Sequence, residues 1–166
     1  AKQHELIGKV ASIVLAGGQG TRLFPLTQTR CKPAVCFGGR YRLIDIPISN
    51  SLNAQIQKIF VISQFFASSL NQHILETYQL DIFRNTKIQL LSPEERPSKK
   101  IWYQGTADAI RQNLSHLQTS TADYFLILSG DQLYNMDLGD LLRFAEQSDA
   151  DLTIASLPVE EPEAKR

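Results

Sequence analysis

Val10-Ala11-Ser12-Ile13-Val14-Leu15-Ala16-Gly17-Gly18-Gln19-Gly20-Thr21-Arg22 decides how the chain is read. Residues 10–16 are a short apolar run rich in β-branched side chains, and Gly17-Gly18 ends it. That is the pattern of a strand buried on both faces. A loop leaving the carboxyl end of such a strand lies where open α/β sheets bind their ligands. Glycine lets a backbone approach a ligand closely. Consecutive free N–H groups form an anion-binding concavity, and a guanidinium such as that of Arg22 adds a fork suited to phosphate. The composition fits a polyphosphate cradle; the competing reading is a solvated surface loop, and the position after an apolar strand favours the cradle.

Charge patterning points the same way. The chain has 166 residues with 17 Lys+Arg and 17 Asp+Glu, so its formal net charge is zero. That balance excludes a general nucleic-acid binder, which needs a net basic surface. The charge is nevertheless uneven. Residues 6–44 contain no acidic side chain, yet they hold Lys9, Arg22, Arg30, Lys32, Arg40 and Arg42 and six of the nine glycines, five of them at 17, 18, 20, 38 and 39. The longest uncharged stretch, residues 59–75, is broken by Ser63, Gln64, Ser68, Ser69, Asn71 and Gln72 and does not read as a membrane span. Residues 1–9 read as a polar tail without an apolar signal core, so a soluble intracellular protein is the default expectation. The two cysteines, Cys31 and Cys36, are too few for a disulfide scaffold or a four-cysteine zinc site and read as reduced thiols.

Further strands are expected at residues 58–63 and 124–128, with weaker candidates at 87–91 and 151–156. Helical periodicity lies between them. In residues 106–117 the apolar positions Ala107, Ile110, Leu114 and Leu117 share a face, with Thr106 as N-cap and Asp108 in the first turn. Residues 137–148 repeat the pattern behind an Asp137 cap, residues 68–78 turn Leu70, Ile74 and Tyr78 inward, and a further helix is expected at 48–57. Residues 92–100 read as a mobile loop. Strands alternating with helices imply an α/β fold with a mostly parallel sheet.

Several familiar motifs fail. A P-loop needs Gly, four residues and Gly-Lys-Ser/Thr, which does not occur. A dinucleotide fingerprint starting at Gly18 would need a small residue where Leu23 stands. No nucleophile elbow exists, and His4, His73 and His116 are scattered without metal-ligand spacing. Ser129-Gly130-Asp131, however, directly follows the apolar run 124–128. An Asp at that strand end faces the ligand crevice, and a carboxylate beside a phosphate cradle is a usual way to hold Mg²⁺; a plain turn-capping role is the alternative.

Together the GGQGTR loop, Lys32-Pro33 and Gly130-Asp131 resemble the sugar-1-phosphate nucleotidyltransferases. Arg30-Cys31-Lys32-Pro33-Ala34-Val35, Phe37-Gly38-Gly39, Tyr41-Arg42-Leu43-Ile44-Asp45, Gln64-Phe65, Trp102-Tyr103-Gln104-Gly105-Thr106-Ala107-Asp108-Ala109 and Ser129-Gly130-Asp131-Gln132-Leu133-Tyr134 are similar to the ADP-glucose pyrophosphorylase branch. The UTP- and dTTP-using relatives share the opening loop and the strand-end Asp but do not usually carry the FGGxYRLID and GTADA stretches.

The resemblance implies a Rossmann-like nucleotidyltransferase fold. It also implies transfer of AMP from ATP to glucose 1-phosphate with Mg²⁺, giving ADP-glucose and pyrophosphate for glycogen or starch synthesis. Arg22 and Lys32 then contact phosphates. Leu15, Gly17, Gly18, Gly20, Thr21, Gln64, Gly105 and Thr106 surround the nucleotide. Tyr103 contacts the sugar phosphate, and Asp131 holds the metal. Residues 10–166 correspond to the N-terminal portion of the catalytic domain, so a truncated domain with little activity of its own is expected, lacking the rest of that domain and a C-terminal β-helix domain. The implied whole enzyme is an allosteric homo- or hetero-tetramer, cytoplasmic in a bacterium or stromal in a plastid, with no nucleic-acid or membrane partner. The alternatives are a non-catalytic regulatory subunit and a sibling enzyme using UTP or dTTP. The chain departs from the family pattern at Cys31 (commonly Ala), Gln132 (often His) and residues 92–95, where a Gln-containing base-recognition segment is usual. Thr29 stands where some members carry an effector-binding Lys, and Arg42 matches a regulatory anion site by analogy.

Overall fold

The computed structural model describes residues 2–17, 20–64, 67–78, 85–93, 95–96, 99–100 and 103–161. In chain order the elements are α1 (Lys2–Gly8), β1 (Val10–Ala16), β2 (Cys36–Phe37), β3 (Tyr41–Arg42), α2 (Asp45–Asn53), β4 (Lys58–Ser63), α3 (Ala67–Thr77), β5 (Lys87–Leu91), β6 (Glu95–Arg96), β7 (Lys99–Lys100), α4 (Thr106–Gln112), α5 (Leu114–Gln118), β8 (Tyr124–Ser129) and α6 (Leu138–Ser148). A four-stranded sheet has the order β5-β4-β1-β8, and every pairing in it is parallel.

β1 is central because both of its faces are apolar. Val10, Val14 and Ala16 pack with Ile59, Val61, Leu126 and Leu128 against Ile48 of α2, Leu70 and Ile74 of α3 and Leu138 and Leu142 of α6. Ala11 and Ile13 pack with Phe60 and Ile62 against Ala109 of α4 and Leu117 of α5. Helices therefore cover both faces, as a parallel sheet requires. Each fully buried Ile or Val stabilises the fold by roughly 1.5–3 kcal/mol. Ser12 is the polar exception in β1, and Ser51 of α2 donates to its hydroxyl at 2.9 Å, so no buried hydroxyl there is orphaned.

A second polar cluster fastens the loop carrying Lys32. Asp45 opens α2 and is buried. Its Oδ1 accepts from the Tyr78 hydroxyl at 2.8 Å, and its Oδ2 accepts from the Arg42 backbone N–H at 2.8 Å. His73 Nε2 sits 2.8 Å from Oδ1. The Arg42 guanidinium donates to the carbonyl and the hydroxyl of Ser69, each at 2.8 Å. Burial, reinforced by the Asp45 carboxylate, pushes the Tyr78 hydroxyl well above its ordinary pKa. Next to this cluster, Leu43 N–H bonds to Val35 O at 3.1 Å and Ile44 N–H to Pro33 O at 3.0 Å, strapping the 3-10 turn Lys32–Ala34 in place.

The strands at 58–63, 87–91 and 124–128 and the Asp137 cap lie where the sequence places them; the Asp137 carboxylate accepts from the N–H groups of Gly139 and Asp140. Other expectations are corrected. The helix expected at 48–57 starts at Asp45 and ends at Asn53. The helix expected at 106–117 is divided at Asn113, whose side-chain amide donates to Ala109 O and Tyr103 Oη at 2.8 Å each. Ala107 and Leu114 face solvent, while Ala109 and Leu117 are buried. Thr106 is the first residue of α4 rather than its cap.

Residues 151–156 form no strand; Leu152 and Ile154 are exposed, and no strand lies beside them among the described residues. Within 92–100, β6 and β7 form a short antiparallel ladder. Residues 2–8, read as a tail, form α1, with Leu6 and Ile7 buried. His73, which shows no metal-ligand spacing in the sequence, is buried as an anchor of the Asp45 cluster. One guanidinium nitrogen of Arg42 is engaged by Ser69.

Replacing Asp45 by Ala strands the His73 ring, the Tyr78 hydroxyl and the Arg42 N–H. D45A is expected to lose about 3 kcal/mol of stability. Urea unfolding checks this, and a loss below about 1 kcal/mol would remove the cluster from its anchoring role.

Candidate active site

The carboxyl edge of the sheet opens into two adjoining clefts. The larger, about 580 Å³, is lined by Leu15 and Gly17 at the end of β1, Ile62 and Gln64 at the end of β4, the segment from Tyr103 to Thr106 before and into α4, and Ser129 and Asp131 at the end of β8. The smaller, about 410 Å³, is lined by Gly20, Thr21, Arg22, Leu23, Lys32 and Asp131. Asp131 belongs to both and joins them.

Two glycines make this junction possible. Gly20 has φ +69°, and a Cβ there would lie 2.7 Å from Lys32 Cβ and 2.9 Å from Thr27 Cγ2. The loop thus presses onto Lys32, and the Thr27 hydroxyl holds Gly20 O at 2.8 Å. Gly130 donates its N–H to Leu15 O at 2.9 Å, and a Cβ there would lie 2.8 Å from that same oxygen. Any side chain at 130 would lift the turn bearing Asp131 off the end of β1.

Lys32 Nζ and Asp131 Oδ2 form an ion pair at 3.0 Å, each side chain about a quarter exposed. The Ser129 hydroxyl donates to Asp131 Oδ1 at 2.6 Å. Partial burial pushes the Asp131 carboxyl up, but the Ser129 hydrogen bond and the Lys32 ammonium together outweigh it and hold the carboxyl below its ordinary range. Arg22 is exposed and has no hydrogen-bond or ion-pair partner among the described residues. The smaller cleft therefore offers one unspent guanidinium and one ammonium whose counter-ion can be exchanged.

The larger cleft is more apolar. Leu15, Ile62, Ala109 and Ile127 supply walls, and Gln64 Nε2 donates to Tyr103 O at 3.5 Å. Tyr103 lines it but is over nine-tenths buried, its hydroxyl accepting from Asn113. At the start of α4, Asp108 accepts the Gln104 N–H at 2.9 Å.

The structure brings Leu15, Gly17, Gln64, Tyr103, Gly105, Thr106 and Asp131 together in one cleft and Gly20, Thr21, Arg22, Lys32 and Asp131 in the other. Gly18 lies outside the described residues, as do Phe65 and Trp102. Sequence reasoning assigned no role to Ser129, whose spacing of two from Asp131 was the available signal, nor to Gln104 and Ile127. Among the described residues no group of three His, Cys, Asp or Glu side chains gathers as a metal site. Cys31 is buried, its thiol pushed up chiefly by that burial, and Cys36 is exposed; neither forms a disulfide. No helix among the described residues is long and apolar enough to cross a membrane.

Residues 11–166 match the nucleotidyl transferase family. The chain belongs to that family. The 2.76 Å crystal structure of a candidate glucose-1-phosphate thymidylyltransferase from Bacillus anthracis, in complex with a sucrose, is similar with a TM-score of 0.64 at 18% identity, over 83% of this chain and 50% of that one. That likeness is one of fold, with the parallel sheet and flanking helices in common. The chain spans about half the length of that structure.

Two outcomes test the geometry. Lys32→Met removes two of the influences that lower Asp131 and leaves burial, so the Asp131 pKa rises; carboxyl-carbon NMR reads the shift, and an unchanged titration would refute the pair. The sign for stability follows. In the wild type the pair stabilises the fold at neutral pH, and this contribution fades as pH falls through the lowered Asp131 pKa. Gly130→Ala is expected to destabilise by about 1–3 kcal/mol, since the contact is with backbone that cannot move aside; a melting temperature equal to wild type would contradict the close approach.

Proposed function

We propose that this chain supplies the nucleotide-binding part of a site that transfers a nucleoside monophosphate from a nucleoside triphosphate to a sugar 1-phosphate. The nucleotide in this reading is ATP and the acceptor glucose 1-phosphate, giving ADP-glucose and pyrophosphate. The observation that carries it is the convergence of Arg22, Lys32 and Asp131 on one cleft, beside a larger and more apolar one.

The chemistry asks for little else. A phosphate monoester oxygen of the acceptor attacks the α-phosphorus. The bond from that phosphorus to the bridging oxygen breaks, and pyrophosphate leaves with the electron pair. The nucleophile is already ionised near neutral pH, because the second pKa of a phosphate monoester is about 6. No general base is required. The difficulty is one anion approaching another, which fixed positive charge and alignment relieve. Arg22 binds the leaving β- and γ-phosphates in this scheme, Lys32 a further phosphate oxygen, and the loop N–H groups the rest. Leu15, Ile62 and Ala109 flank the base, with Gln64 at its edge, and the Tyr103 ring walls the sugar side.

Mg²⁺ suits the donor set at Asp131. Magnesium is commonly held by one or two carboxylates plus substrate phosphates rather than by an all-protein cage, and a single carboxylate at the junction of the clefts matches that habit. The ion, held by Asp131, would neutralise phosphate charge. With Asp131 so engaged, the Lys32 ammonium would be available to contact phosphate.

The adenine preference rests on the FGGRYRLID and GTADA stretches. A second reading, a sibling enzyme using dTTP or UTP, is favoured by the thymidylyltransferase description of the Bacillus anthracis structure and differs only in the base. A regulatory subunit is disfavoured, because Arg22, Lys32 and Asp131 are all retained.

Binding of ATP, UTP and dTTP to the chain with Mg²⁺, and pyrophosphate release with glucose 1-phosphate, decide among these. ATP is expected to bind tightest, and Asp131→Asn to lower any rate on the order of a hundredfold. Preference for dTTP or UTP moves the assignment to the sibling enzyme; binding of none of the three overturns the reading.

A further inference from the structure

At the amino-terminal edge of the sheet, away from both clefts just described, β4 and β5 each begin with a lysine, and the two are register partners: Lys58 opposite Lys87. Partners on adjacent parallel strands stand about 4.8 Å apart and project to the same face. Like charges set side by side in this way are destabilising. A cleft of about 230 Å³ opens over them, lined by Lys58, Phe60, Lys87, Gln89 and the turn Thr119, Ser120 and Thr121 that follows α5. Among the described residues no carboxylate lines it.

The donors there are largely unspent. Lys58 Nζ donates to Thr121 Oγ1 at 2.8 Å. That bond leaves two of the three ammonium N–H groups and the threonine's own O–H proton available. Lys87 has no ion pair or side-chain hydrogen bond among the described residues. Phe60, on the same face as Lys58, is buried beneath, and an apolar floor strengthens any charge interaction made above it. Thr119 and Ser120 donate their hydroxyls to His116 O and Leu117 O, so they shape the rim without offering protons to a ligand.

We propose that this cleft is a second anion site, one that takes a small tetrahedral oxyanion of the phosphate class between Lys58 and Lys87, with the Thr121 hydroxyl and the Gln89 amide as neutral donors. The bound anion neutralises the lysine pair that the register sets side by side. The length of the six-residue β4, about 20 Å, separates this site from the cradle, so the two bind independently. The chemistry is shared by inorganic phosphate and by the phosphoryl end of a small phosphomonoester.

Backbone NMR of the whole chain at constant ionic strength, titrated in turn with inorganic phosphate and glycerol phosphate, tests the proposal. Saturable shifts are expected at Lys58, Lys87, Thr119, Ser120 and Thr121, resolved from those of the loop around Gly20 and Lys32. Whichever titrant saturates at lower concentration identifies the source. Lys87 is exposed, so K87M keeps the fold, and it is expected to weaken binding here about tenfold, as loss of one charge-assisted contact does; K87R retains binding. K87E sets a carboxylate beside Lys58 and is expected to abolish binding while raising the melting temperature in phosphate-free buffer. Shifts that stay linear in concentration, equal affinity in folded K87M, or a K87E protein no more stable than wild type would each overturn the proposal.

Discussion

The hydrogen bond from Gly130 N–H to Leu15 O carries the candidate site. It continues the β1–β8 ladder one residue past the end of β8, and a Cβ at residue 130 would lie 2.8 Å from the accepting oxygen. Through it the turn bearing Asp131 is pinned to the strand that launches the glycine loop. The Gly20–Arg22 loop and a carboxylate more than a hundred residues later in the chain meet at one cleft because two parallel strands share a register. Remove that bond and the two clefts lose the residue they have in common.

Around this junction the charges are arranged to be exchanged. Lys32 and Asp131 neutralise each other at 3.0 Å while staying partly solvated. A surface pair of this kind contributes little net stability, about 0–1 kcal/mol. Its disposition matters more than its strength. Under the proposed function, a phosphate taken by Lys32 would leave the Asp131 carboxylate open to a cation. The buried Asp45 cluster has the opposite character. Its carboxylate is satisfied on several sides by groups that do not leave, and it holds the turn carrying Lys32 rather than taking part in exchange.

Much of this was legible in the sequence where the pattern was local. A seven-residue apolar run ended by glycines could be little other than a buried strand, and the strand-end Asp follows from the same logic. What was not legible depended on residues far apart. Asp45 and His73 are 28 positions apart, and no spacing rule joins them. The break at Asn113 was hidden because Ala107, Ile110, Leu114 and Leu117 satisfy helical periodicity on paper; the Asn113 amide, reaching back to Ala109 O, divides the helix and turns Leu114 outward. Residues 151–156 have strand-forming side chains, but a strand needs a neighbour, and the described residues give it none.

The lysines of the two sheet edges show the same physics with different outcomes. Lys32 at the carboxyl edge has a carboxylate beside it and lies at rest. Lys58 and Lys87 at the amino edge have each other and a hydroxyl. Parallel pairing gave that edge its register for reasons of core packing, since Ile59, Val61 and Ile62 must be buried, and the register then forces the two ammonium-bearing side chains onto one face. A like-charge pair that the core imposes is tolerable when solvent or a counter-ion screens it. Here the pair stands over an apolar floor, with a threonine hydroxyl ready to donate and, among the described residues, no carboxylate lining the cleft. Solvent alone screens such a pair less well than a bound dianion, so the packing that builds the fold also creates the demand for one.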